Sequence, residues 1–192
     1  MTPYTGAIIP MVSSEQLLGW DDLRFPAQGV NPAGQTAAPT VDVVLTDFPG
    51  TLLFSGTIEN VIAGIAQMPH AWKPGSTIKP HIHWSKTVGS ADAVSWVFYY
   101  RHIGFATETA EAWVGPIAGT IFAGSQTVTN NHIITSFGDV AMTGKRESSC
   151  LCWQVRRLGN TDADAADARL YEFDIHYQVE KLGTSTETPA AI

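Results

Sequence analysis

The sequence predicts an all-β protein: an antiparallel β-sandwich, jelly-roll-like, with an extended N-terminal arm. Three observations predict it. From Thr40 onward apolar residues recur with a period of two, the repeat of a strand, and not with the 3.6 of a helix. Roughly eight such runs follow one another at short spacing, each bounded by Gly, Pro, Asn, Asp or Ser. No run has the length and spacing of a confident helix, which leaves a sandwich or a closed barrel, and a jelly roll has the matching strand count.

The chain divides into an arm over residues 1–40, a sandwich body over 41–182 and a polar tail over 183–192. The arm carries Pro3, Pro10, Pro26, Pro32 and Pro39, with glycines between them, so long regular elements are not expected there. One helical turn is possible over residues 13–18. Trp20, Leu23 and Phe25 are apolar anchors among Asp21, Asp22 and Arg24, and they predict an arm that packs on its own body or on a neighbouring subunit.

In the body, Val41 to Leu45 and Thr51 to Phe54 predict two strands around a turn at Asp47-Phe48-Pro49-Gly50. Glu59 to Met68 is ambiguous, but β-branched Val61, Ile62 and Ile65 favour a strand. His70 to Gly75 is a turn. Lys79 to Lys86 is a strand with His81 and His83 on one face and Ile82 and Trp84 on the other. Ser95 to Ile103 is a further strand. Residues 105–125 read as a loose loop, and Thr127 to Phe137 as a strand. Ser149 to Arg156 places Leu151, Trp153 and Val155 on one face. Thr161 to Ala168 reads as a polar loop. Leu170 to Leu182 is the clearest element: Tyr171, Phe173, Ile175, Tyr177 and Val179 alternate with Glu172, Asp174, His176, Gln178 and Glu180.

Composition excludes several function classes. The net charge of −7, with the 11 basic residues scattered, argues against a nucleic-acid binder and against docking on anionic lipid. The pairs Lys145-Arg146 and Arg156-Arg157 read as solvated strand ends. The first basic residue is Arg24, so the charged start of a secretion signal is missing. Ala112 to Gly138 lacks Asp, Glu, Lys and Arg, yet its Pro, Gly and Asn residues do not suit a membrane helix. Cys150 and Cys152 lie at i and i+2 of a strand, roughly 7 Å apart, at or beyond the limit for a disulfide, and read as reduced thiols of a chain made in a cytosol.

Four groups could carry chemistry. Gly75-x5-His81-x-His83 resembles the opening of the first cupin motif of jelly-roll metal enzymes, and two imidazoles facing one way can share an ion. The acid expected a few residues later is missing from Ser85 to Val88. His176 with Asp174 and Glu172 could add a ligand if its strand lies beside His81 and His83. The reading preferred for His81, His83, His176 and Asp174 is a polar or inter-subunit face, with no metal and no cofactor; His81, His83 and His176 remain the candidate ligands. Asp162, Asp164 and Asp167 read as a solvated loop and not as a calcium site. Of six tryptophans, Trp84, Trp96 and Trp153 fall on core faces, leaving Trp20, Trp72 and Trp113 as loop residues able to stack on a sugar.

Gly19 to Pro26, Gln67 to His70, Pro80 to Trp84 and Phe173 to Tyr177 together resemble a group of tailed-bacteriophage proteins, virion structural components mostly of unassigned role. The likeness runs from Gly19 to Gly183. It implies a non-enzymatic virion protein, a homotrimer that decorates or cements the head, with the major capsid protein or other virion proteins as partners. It implies assembly in the host cytoplasm and no catalytic residues. The alternatives are a collar or tail-associated protein, a glycan-binding module, and a cupin-like metal-dependent enzyme.

Overall fold

The computed structural model describes residues 19–30, 38–42, 50–104 and 109–180, and the expected helical turn at 13–18 and the 183–192 tail lie outside them. Among the described residues there are eleven strands: β1 (Gly19–Pro26), β2 (Thr40–Val41), β3 (Leu52–Phe54), β4 (Glu59–Gln67), β5 (Lys79–Lys86), β6 (Trp96–Ile103), β7 (Val114–Ala118), β8 (Thr120–Ala123), β9 (Ile133–Ser136), β10 (Cys150–Leu158) and β11 (Ala168–Val179). They form two antiparallel sheets. One runs β2-β3-β11-β5-β9-β8, with β1 also paired to β11; the other runs β4-β10-β6-β7. Successive strands pass repeatedly from sheet to sheet, and β3-β11-β5-β9 opposite β4-β10-β6-β7 is jelly-roll connectivity. Among the described residues the one helical element is a 3-10 turn at Ala27–Gly29.

The core lies between the sheets. Ile82 and Trp84 of β5, Leu151, Trp153 and Val155 of β10, and Phe173 and Ile175 of β11 are all buried, as their alternation requires. Burying each such side chain contributes about 1.5–3 kcal/mol. Trp84 Nε1 donates to Thr135 Oγ1 at 2.9 Å, so its polar atom is not lost on burial. Gly64 stands opposite Trp153 in the β4–β10 register. A Cβ there would lie 2.4 Å from the indole, so only glycine admits the ring.

Several expectations change. Gly19–Pro26 is an eight-residue strand in spite of its place in the Pro/Gly-rich arm, because it pairs residue for residue with β11, Trp20 opposite Gln178 and Phe25 opposite Phe173. Leu23 and Phe25 pack against the core while Trp20 is exposed. The loop expected over 105–125 contains β7 and β8, and the strand expected over Thr127 to Phe137 is confined to Ile133–Ser136. Trp72 is no loop platform: it is fully buried. Lys73 N–H donates to the Gln178 carbonyl and Glu180 N–H to the Ala71 carbonyl, and this pairing with the end of β11 draws the indole inside.

In the acidic loop after β10, Asp167 is exposed as expected, but Asp162 and Asp164 are not solvated. Asp162 is ion-paired to Arg157 at 3.0 Å and Asp164 to Lys86, all four side chains being buried. Arg157 also donates to the carbonyls of Phe54, Ala166 and Asp164, so it is no solvated strand end. Arg169 pairs with Asp42 at 2.6 Å. The two cysteines are free and half-buried.

Candidate functional site

The outer face of the larger sheet carries the polar cluster, and strand register builds it. Residues directly opposite on paired strands project from the same face. Arg24, Asp174, His81 and Ser136 form one such row across β1, β11, β5 and β9. Asp22, His176 and Lys79 form the next row, and Glu172, His83 and Ile134 a third. The rows line an open basin of about 480 Å³. Phe122 of β8 borders it beside His81 and His176.

A bulge in β11 between Leu170 and Glu172 shapes one wall. Leu170 and Phe173 both face the core, so the two residues between them, Tyr171 and Glu172, both face out. Tyr171 therefore leaves the apolar face its alternation assigned to it. Its hydroxyl donates to Ser85 Oγ at 2.7 Å, and its ring stands edge-on to His132 at 6.2 Å.

Asp174 is the centre of the cluster. Its side chain is only 6% exposed, with His81 Nε2 at 2.5 Å from Oδ1 and His83 Nε2 at 3.2 Å from Oδ2. Burial pushes this carboxyl up, but the His81 and His83 imidazoles outweigh that and hold it down at about 2. Burial likewise pulls His81 down, and Asp174 more than restores it, leaving the imidazole above its ordinary value. His83 Nδ1 and His132 Nε2 lie 2.8 Å apart, sharing one hydrogen. Burial, then the neighbouring His83, lower His132. His176 Nε2 is 2.9 Å from Asp22 Oδ1, and its ring meets that of His81 at 4.3 Å. Arg24 holds Glu172 through two hydrogen bonds of 2.7 and 2.6 Å.

The structure thus brings together all four residues expected on the polar face, His81, His83, Asp174 and His176. The conditional step holds as well: the strand of His176 does lie beside that of His81. His132, Asp22 and Arg24 were missed. Asp22 and Arg24 follow from β1 once its pairing with β11 is known, whereas His132 sits just before β9 and no local pattern marks it. The tryptophans do not gather. Trp20 lies in the larger sheet with Lys79 Nζ 5.5 Å from its ring, and Trp113 leads into the smaller sheet with Arg101 5.9 Å away.

Fold and basin define a jelly-roll β-sandwich with a histidine-lined polar face. Neither a protein-family model nor a curated protein matches the chain. Among solved structures it is similar to the CBM22-1 xylan-binding domain of Paenibacillus barcinonensis Xyn10C, at 16% identity over 83% of this chain and 94% of that one, with a TM-score of 0.42. It is also similar to CBM27-1 of Caldicellulosiruptor saccharolyticus, solved with mannohexaose, at 8% identity over 80% and 96% of the two chains and a TM-score of 0.34. A protein of unknown function from Shewanella oneidensis MR-1 overlaps 100% of both chains at 12% identity and a TM-score of 0.33. At these TM-scores the superpositions carry no argument about function.

Proposed function

We propose that the chain is a non-enzymatic structural subunit of a tailed-bacteriophage particle, a homotrimer seated on the head as a decoration or cement protein, with a collar or tail seat as the alternative. The likeness of Gly19 to Gly183 to phage virion proteins supports this reading. The observation that carries it is an uncharged apolar edge. β7 closes the smaller sheet and β8 the larger, joined through Gly119, so the two edge strands lie next to each other in sequence. Trp113, Val114, Ile121 and Phe122 are exposed there, Phe122 by 77%. Soluble monomers guard strand edges with charge, and Ala112 to Gly138 holds none. A second copy is the occupant that such an edge suits: its own strands add no charge to the repulsion that a net charge of −7 sets between copies.

Sedimentation velocity tests the assembly. The full chain is expected to run as a trimer, and Phe122→Asp as a monomer with unchanged far-ultraviolet circular dichroism. Antibody raised against the chain is expected to label heads of the phage that encodes it. A wild-type chain that stays monomeric at high micromolar concentration, or particles that take no label, would end the proposal.

A further inference from the structure

We propose that His81, Asp174 and His176 form a binding site for a divalent transition-metal ion, of the zinc, iron, cobalt or nickel class. One ligand atom from each lies within 4.8 Å of the others. Two imidazoles and one carboxylate are a donor set these ions favour and calcium or magnesium do not. The inference does not rest on the assembly reading.

Two observations point to a cation. The first is the placing of His81. Its Nδ1 lies 3.3 Å from the Lys79 carbonyl, which can only accept, so that nitrogen is held as a donor and Nε2 is the one aimed at Asp174 Oδ1, 2.5 Å away. A nitrogen and a carboxylate oxygen that close hold a cation between them, a proton or, in its place, a metal ion. The second observation is Asp174 Oδ1 itself, which is buried and has no aligned hydrogen-bond donor. An orphaned buried carboxylate oxygen is destabilising, and a metal ion removes that penalty.

The surroundings are those a metal site needs. Histidine ligands are usually held through their second nitrogen, and ligating carboxylates through their second oxygen. Here the Lys79 carbonyl holds His81, His83 stands at Asp174 Oδ2, and His132 holds His83 in turn. Asp22 stands beside His176. Ligand atoms around one such ion sit roughly 3 Å apart. His81 and Asp174, 2.5 Å apart on paired strands, open slightly to that spacing, and closing from the far side falls to His176, whose side chain is 40% exposed and can swing. The open basin leaves the remaining coordination positions to water.

The test is calorimetric titration of ZnCl2 into the full chain after EDTA treatment and dialysis, with CoCl2 absorption spectra in parallel. One ion per chain and a visible Co2+ band are expected. His81→Ala and His176→Gln should each weaken binding at least about tenfold. His70→Ala, outside the basin, should change nothing. Because His81 is buried, His176→Gln carries the test if the other variant fails to fold. Absence of binding at sub-millimolar Zn2+, or an affinity unchanged in folded His176→Gln, overturns the site.

Discussion

Two buried cations, Lys86 and Arg157, show how far strand phase reads at the scale of one residue. Ile82 and Trp84 point inward, and Lys86 continues their phase; Leu151, Trp153 and Val155 point inward, and Arg157 continues theirs. Phase was the better guide than charge. The partners, Asp162 and Asp164, sit in a loop whose path no periodicity records, so the pairs themselves were not legible. Breaking a buried pair strands a charge, so Arg157→Ala is expected to cost about 3–5 kcal/mol in urea denaturation. Arg24→Ala removes a surface pair, its side chain 67% exposed, and should cost far less. Equal losses would refute the distinction. Asp164 adds a pH dependence. Burial raises its carboxyl, but Lys86, the Ala166 N–H and the Ser90 hydroxyl outweigh that and lower it from 3.8. A carboxyl depressed by folding stabilises above its unfolded value, and the contribution is lost as pH falls through the folded one. Between about pH 5 and 2 the wild type should therefore lose stability more steeply than Asp164→Asn. Parallel slopes would show that Asp164 stays unpaired.

At the scale of elements, the long alternating strand was legible and its interruption was not. A bulge adds one residue without disturbing the composition on either side, so Tyr171 looked like core. β7 and β8 were hidden for another reason: as largely exposed edge strands, with Ile117 alone of their residues packed on the core, they have no fully buried face to impose a period of two. β1 was read as irregular from its prolines and glycines, and tertiary pairing overrode that local tendency. What holds it is Phe25, 5.2 Å from Trp153 and 5.7 Å from Phe173. Phe25→Ala should cost about 3 kcal/mol and speed hydrogen exchange along Gly19–Pro26. Exposed Trp20→Ala should leave both within about 0.5 kcal/mol of wild type. If Trp20 and Phe25 prove equivalent, the strand is held by its backbone alone.

For the whole molecule, strand number and spacing were enough to reach the jelly roll, since few architectures accommodate so many short strands. The polar face was legible in its members but not in its depth, because burial of Asp174 depends on which strands flank β11. The assembly makes a prediction at this scale. A contact whose own strands hold no charge is not broken by screening, so the proposed trimer should persist at high NaCl. Dissociation by salt would place the contact on a charged face instead. β11 itself has a consequence for biosynthesis. It pairs with β1, β3 and β5, elements that leave the ribosome long before it. Trp20 must wait for Gln178 and His81 for Asp174. The larger sheet therefore cannot close before β11 has been made. Until residue 179 has emerged, β5 presents an open edge, and the nascent chain is at its most vulnerable to pairing with a neighbour on the same message.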